Sequence, residues 1–184
     1  MKSKILIILF TFSMFGFNAC SQDSNGKVEI IVSYERQGGR GSNQFAIWIE
    51  DSNEKLVKTL YVTNFTADGG YNKRPGCTPL WVEKANAKEL TKEQIDAFSG
   101  ATPLTGKQIY NWDLTDTQGK KMPAGEYIYM VQGTLYGESQ VLFKGKITIG
   151  GKKELNVEAF PEFSSDDVMN RDMIKSVKAK YILL

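Results

Sequence analysis

The sequence predicts an all-β fold, a β-sandwich interrupted by one helical insertion. Three observations predict it. Short runs of alternating apolar and polar residues recur along most of the chain, the period of a half-buried strand. Gly, Asp and Asn turn signals bound those runs at the close spacing of a sandwich. Between about residues 66 and 106 the pattern turns helical.

The elements follow in order. "KVEIIVSYE" places Val28, Ile30, Val32 and Tyr34 on one face of a first strand. "NQFAIWIED" does the same with Phe45, Ile47 and Ile49, and "SNEK" turns it into "LVKTLYVTNF", so these two runs predict a hairpin. "ADGGYNKRPGCTP" carries too much Gly and Pro for regular structure and reads as a long loop. "LWVEKANAKEL" has helical composition. "TKEQIDAF" opens with Thr91 three residues before Gln94, a capping box, and sets Ile95 and Phe98 on one face toward the core. Gly100 is a natural stop for that helix. Pro103 disfavours the helical region for Thr102, which is expected just past the helix, extended and reachable. "KQIYNWDLTD", "GEYIYMVQGTLY", "QVLFKGKITIG" and "ELNVEAF" read as further strands. "SVKAKYIL" alternates Val177, Ala179 and Tyr181 with Lys178 and Lys180, as an edge strand guarded by lysines would. Trp112 is expected to plug the core beside the strands of Phe45 and Tyr127.

The beginning of the chain predicts its compartment. Lys2 and Lys4 precede the apolar run "ILIILFTFSMFGF", too short and badly flanked to span a bilayer, so residues 1–19 read as an export signal. The signal closes on "FNAC", with small Ala19 before Cys20. That resembles the bacterial lipoprotein cleavage box, which implies that the Cys20 thiol is lipidated, becomes the new N-terminus and anchors the chain to a membrane. Ordinary secretion with Cys20 free is the alternative. Residues 20–26 form a polar tether, and 27–184 a single domain with its insertion at about 66–106. The expected location is the cell envelope, lipid-anchored, periplasmic or outer-membrane.

Composition excludes several classes of function. Lysine plus arginine is 23 and aspartate plus glutamate 21; without Lys2 and Lys4 the basic count is also 21, so the mature chain has no formal net charge. With no basic stripe, no nucleic-acid partner is expected. The chain has no histidine, which removes Ser-His-Asp and Cys-His hydrolysis and every histidine-built metal site. An enzyme would depend on carboxylates, Lys, Tyr, a thiol or a bound cofactor, and no catalytic residue or metal site is assigned. Of two cysteines, lipidation of Cys20 leaves Cys77 alone; with no adjacent histidine or cationic cluster it reads as a small, partly buried loop residue, with a reactive thiol as the alternative. Asp113 and Asp116 suit turn caps better than calcium ligands, because further oxygen ligands do not follow at loop spacing.

Two longer phrases carry resemblances. "YNWDLTDTQGKKMPAGEYIYMVQG" resembles the strand–turn–strand unit of bacterial immunoglobulin-like domains, including those of flagellar hook-capping proteins, which implies an immunoglobulin-like β-sandwich. "FAIWIEDSNEKLVKTLYV", "DAFSGATPLTG" and "WDLTDTQGKKMPAGEYIYMV" occur in the order found in a family of predicted periplasmic proteins, domain of unknown function 2271. That resemblance covers roughly residues 28–150 and implies no activity by itself.

"DAFSGAT" is similar to the acceptor motif of bacterial flavin transferases, in which the last threonine takes FMN through a phosphoester bond. The resemblance implies FMN attachment at Thr102 and recognition through Asp96, with Ser99, Gly100 and Ala101 as a small, smooth approach. The chain departs from the pattern at Leu104, where such proteins often carry a hydroxyl; Thr105 comes one place later. The implied function is an extracytoplasmic electron-transfer carrier, with a flavin transferase and a membrane redox protein as partners. Flavin chemistry belongs to the cofactor, so the absence of histidine does not oppose it. Tyr71, Trp81, Tyr110 and Trp112 are candidates for a face on which the flavin ring stacks. The alternative is a non-catalytic immunoglobulin-like binding or scaffold lipoprotein that uses the loop 66–81 as its contact surface.

Overall fold

The computed structural model describes residues 25–38, 41–135 and 139–184. The export signal, Cys20 and most of the tether lie outside them.

"QFAIWIE" alternates two apolar sets rather than an apolar and a polar one, and the strand it forms, β2 (Gln44–Glu50), is buried on both faces. Phe45, Ile47 and Ile49 face one core; Ala46 and Trp48 face another. Around β2 lie β1 (Lys27–Tyr34), β3 (Leu56–Thr63), β4 (Ser99–Gly100), β5 (Gly106–Trp112), β6 (Gly125–Thr134), β7 (Gln140–Ile149), β8 (Leu155–Phe163) and β9 (Ile174–Ile182). Their order is β4-β3-β2-β6-β7-β8-β9-β1-β5 in one sheet, antiparallel except where β4 runs parallel to β3. The expected β2–β3 hairpin is present.

The sheet curls because β8 changes partners along its length. Leu155–Ala159 pair with β9, whereas Phe160–Phe163 pair with β7. A strand shared in this way turns a corner between two packed halves. The all-β expectation holds. The pairing runs through one continuous curled sheet of nine strands. Its concave side holds the main core, with Ile30, Phe45, Ile47, Tyr129, Phe143 and Tyr181 fully buried. Trp112 lies there too, its ring 5.0 Å from that of Tyr127 in a T-shaped contact.

β9 corrects an expectation. It is not an edge strand: it pairs with both β8 and β1. Lys178 and Lys180 mark an outward face, where they meet Glu158 and Glu154 at 3.6 and 3.3 Å. Alternation in a sequence reports faces; it does not report how many neighbours a strand has.

Helices α1 (Asn64–Ala67), α2 (Pro79–Lys84) and α3 (Lys92–Phe98) connect β3 to β4 and cover the outer face of β2, β3 and β6. The segment expected to be an irregular loop, residues 67–79, starts on the last residue of α1 and holds a single 3-10 turn at Gly70–Asn72; Asn64 and Phe65, read as the end of a strand, belong to α1. "LWVEKANAKEL" gives only α2 and a second such turn, because Asn86 adopts a left-handed conformation with φ 45°. Under this layer Trp81 is fully buried. Its indole donates to Thr59 Oγ1 at 3.1 Å and its backbone N–H to Gln132 Oε1 at 3.3 Å. The buried carboxylate of Glu50 accepts from the Trp48 indole at 2.7 Å and pairs with Lys84 at 3.4 Å. Polar residues on the outer face of the sheet are therefore bonded to the helical layer.

Candidate functional site

β4 and β5 are the two edges of the sheet, yet only residues 101–105 separate them in the chain. That link crosses the seam where the curled sheet comes round to meet itself. Tyr61 of β3 and Tyr110 of β5 face each other there with ring centroids 5.1 Å apart. Phe45 stands behind both at about 6 Å, and Tyr34 packs edge-on to Phe45 at 5.4 Å. The far end of the seam is closed by Thr117 N–H donating to the Val57 carbonyl at 3.1 Å. Lys58 Nζ adds bonds to Asp113 Oδ1 at 2.8 Å and Thr115 Oγ1 at 2.6 Å.

A bulge brings Tyr61 to this place. Trp48 pairs with Thr59 but Ile47 pairs with Tyr61, which leaves Leu60 extra. The additional residue resets the alternation. Thr59 then faces the helices and Tyr61 the concave side.

The "DAFSGAT" segment is built onto that seam. α3 starts as expected: Gln94 N–H donates to Thr91 Oγ1 at 3.3 Å, and Thr91 N–H to Gln94 Oε1 at 2.8 Å. Gly100 does not end the helix in a left-handed cap. The helix stops at Phe98, and Ser99 and Gly100 go directly into β4 opposite Val62 and Thr63. Tyr61 donates its hydroxyl to the Ala101 carbonyl. Ala101 is exposed, Thr102 half-buried and Pro103 buried. Thr102 Oγ1 donates to the Asn43 carbonyl at 3.3 Å.

Asn43 is itself fixed. Its Oδ1 accepts from Gln37 N–H at 2.7 Å and from the Tyr34 hydroxyl at 3.3 Å, while its Nδ2 donates to the Gln37 carbonyl at 2.8 Å. On the other side of Thr102, Leu104 is 74% exposed, and its carbonyl accepts from Gln108 Nε2 at 2.7 Å. Thr105 Oγ1 accepts from Arg36 N–H at 3.0 Å. Burial pushes the Tyr34 hydroxyl up to about 12. Burial, and then the neighbouring Tyr61 and Tyr34, push Tyr110 higher still, and burial also raises Tyr61. All three are neutral hydrogen-bond donors at physiological pH.

Ser99, Gly100, Ala101 and Thr102 thus form one continuous strip, and Asp96 stands on the exposed side of α3, 3.5 Å from Lys92. Of the four expected stacking aromatics, Trp81 and Trp112 are fully buried and Tyr71 is buried within the helical layer. Trp112 points inward because its indole donates to the Thr115 carbonyl at 2.8 Å. Half-buried Tyr110 meets Tyr61, which in turn bonds the strip at Ala101. Absent from the sequence reading are Asn43, which receives the Thr102 hydroxyl, and Tyr61 and Arg36, which bond Ala101 and Thr105 on either side of it.

Cys77 is fully buried rather than partly so, and Arg74 Nε donates to its sulfur at 2.8 Å. Asp113 and Asp116 serve as turn caps. Asp113 Oδ1 accepts from Thr115 N–H and Oγ1, and Asp116 Oδ1 from Gln118 and Lys120 N–H.

The family described as "Predicted periplasmic protein (DUF2271)" matches residues 26–163. This chain is a member of the DUF2271 family. No curated protein and no solved structure matches it. The DUF2271 match takes in β1 to β8, the helical layer and the whole seam, including Thr102. β9 lies beyond the match, although it joins β8 to β1. The DUF2271 description agrees with the periplasmic location expected from the sequence.

Proposed function

We propose that this DUF2271 protein is a lipid-anchored carrier of covalently bound FMN, attached through Thr102. The observation that carries the reading is the position of the Thr102 hydroxyl. Thr102 is half-buried on an extended strip, beside exposed Ala101, and among the described residues its hydroxyl is bonded only to one backbone carbonyl. The strip fits the group. Neither neighbour of the hydroxyl presents a bulky side chain outward, since Ala101 is small and Pro103 is turned inward. Attachment requires the Thr102 oxygen to attack the FMN-side phosphorus of FAD. The new bond is threonine O–P, the anhydride P–O bond breaks, AMP leaves, and the hydroxyl proton goes to a base on the transferase. Asp96, exposed on the last helix before the strip, is the recognition residue in this reading. Bound there, FMN supplies one- and two-electron chemistry to a membrane redox partner.

Thr102→Val keeps the shape and removes the nucleophilic oxygen. Wild type co-produced with a flavin transferase is expected to give a fluorescent band that survives denaturation and the added mass of FMN, and the valine variant neither. Wild type without the added mass would end the carrier reading. Cys20→Ala is expected to release the protein from the membrane fraction; unchanged partitioning would end the lipid-anchor reading. A binding or scaffold lipoprotein with an immunoglobulin-like unit at residues 110–133 is the second reading. A cleft of about 590 Å³, lined by Tyr71, Pro75 and Pro79 of the segment expected as its contact surface and by Val82 and Asn86 just beyond it, favours it.

A further inference from the structure

The backbone on either side of Arg36 is tied to the Thr102 strip. Arg36 N–H donates to Thr105 Oγ1 at 3.0 Å, and the next residue, Gln37, donates its N–H to Asn43 Oδ1 at 2.7 Å. Asn43 is the residue whose carbonyl receives the Thr102 hydroxyl. The Arg36 side chain is exposed, and among the described residues its guanidinium has no carboxylate within ion-pair distance. The adjacent Glu35 is taken by Lys175, and Asp96 stands 3.5 Å from Lys92. A second guanidinium, Arg74, is fixed nearby, donating from Nη2 to the carbonyl of Ser42 at 3.0 Å. Its Nε is engaged by Cys77 and its plane lies over Phe65, so Arg74 contributes fixed charge and Arg36 an available fork of donors.

We propose that Arg36 binds the phosphodiester formed at Thr102, holding the attached group against the seam. The proposal rests on the carrier reading. A threonine–FMN phosphodiester bears one full negative charge at neutral pH and two unesterified oxygens. A planar guanidinium with parallel N–H donors is the side chain suited to such a pair of oxygens. Esterification also removes the proton with which Thr102 bonds Asn43, so the strip loses that hydrogen bond. The contact to Arg36 replaces it with a charge-assisted one.

The test uses the full-length protein flavinylated by co-production with a transferase, checked by intact mass, and observed by phosphorus NMR at low salt. Arg36→Gln is expected to shift the phosphodiester resonance. Arg36→Lys is expected to retain part of the wild-type position, and added salt to move wild type toward the glutamine variant. Lys152→Gln, at the opposite end of β1, is expected to leave the resonance unchanged. Superimposed resonances of fully flavinylated wild type and Arg36→Gln would overturn this inference alone, as would an equal shift from Lys152→Gln. Wild type that takes no flavin would overturn the carrier reading and this inference with it.

Discussion

The ring of Tyr61 occupies the space that a side chain at position 100 would need. A Cβ on Gly100 would lie 2.6 Å from Cε2 of Tyr61 and 3.0 Å from its hydroxyl oxygen. That hydroxyl donates to the carbonyl of Ala101, the next residue. Tyr61 thus holds the strip from below at two consecutive residues while its other side meets Tyr110 across the seam. The glycine of "SGAT" has a structural reason for being there whatever Thr102 carries.

Gly100→Ala is therefore expected to push the Tyr61 ring out of place and cost about 1–3 kcal/mol, the usual penalty for overfilling a packed site. Tyr61→Ala in the same chain removes the clash. Denaturant midpoints for the two single variants and the double should show a coupling above about 0.5 kcal/mol. Simple additivity would mean that the two residues do not compete for this space.

Trp112→Ala is expected to cost about 3–5 kcal/mol, because it empties a fully enclosed site and leaves Tyr127 without its edge-to-face partner. The Thr115 carbonyl also loses the indole donor, which loosens the loop that closes the far end of the seam. A denaturant midpoint equal to that of wild type would contradict the placement of this residue.

Glu50 offers a test of how the helical layer is attached. Its carboxylate is 1% exposed and held by one indole and one lysine. Lys84→Met strands a buried charge. Water reaches the partly exposed Lys84 end, so the expected loss is about 1–3 kcal/mol, below the value for a fully enclosed pair. Glu50→Gln combined with Lys84→Met keeps an acceptor for Trp48 without the charge, and should recover part of that loss in thermal unfolding. A double variant less stable than Lys84→Met alone would show that the carboxylate is needed for more than its charge balance.

The sequence exposes faces well and neighbours poorly. Val28, Ile30, Val32 and Tyr34 were readable as a buried face, as was the cap at Thr91, because alternation and capping are local. Which strands pair is not local, so Lys178 and Lys180 suggested an edge where the structure has a central strand. The seam was out of reach for the same reason. It depends on β4 and β5 being opposite edges of one sheet, and on a bulge at Leu60 that turns Tyr61 inward. The strip itself was legible as "DAFSGATPLTG", with Thr102 extended before Pro103. Its surroundings were not, since Asn43 and Arg36 come from a loop about 60 residues earlier in the chain.

The tyrosines of the core make alkaline pH a probe of the seam. A phenol in the unfolded chain titrates near 10. Burial pushes Tyr34 and Tyr129 up to about 12, and Tyr110 is raised further in the same direction. The folded state thus favours the protonated form more than the unfolded state does. The corresponding stability is fully present below about pH 10 and is lost as pH rises from there toward the folded values. Denaturant midpoints are expected to hold steady through neutral pH and fall above about pH 10. Tyr34→Phe cannot ionise and should lose less stability over that window. Tyrosinate absorbance should rise mainly as the chain unfolds, because no tyrosine is exposed among the described residues. Tyr34 adds a local consequence, because its proton is donated to Asn43 Oδ1, and Asn43 is the residue that receives the Thr102 hydroxyl. The strip should therefore exchange its backbone amides faster than the helical layer does as pH nears about 12, after correction for intrinsic base catalysis. Equal protection of the two regions across that window would show that Asn43 is held without Tyr34.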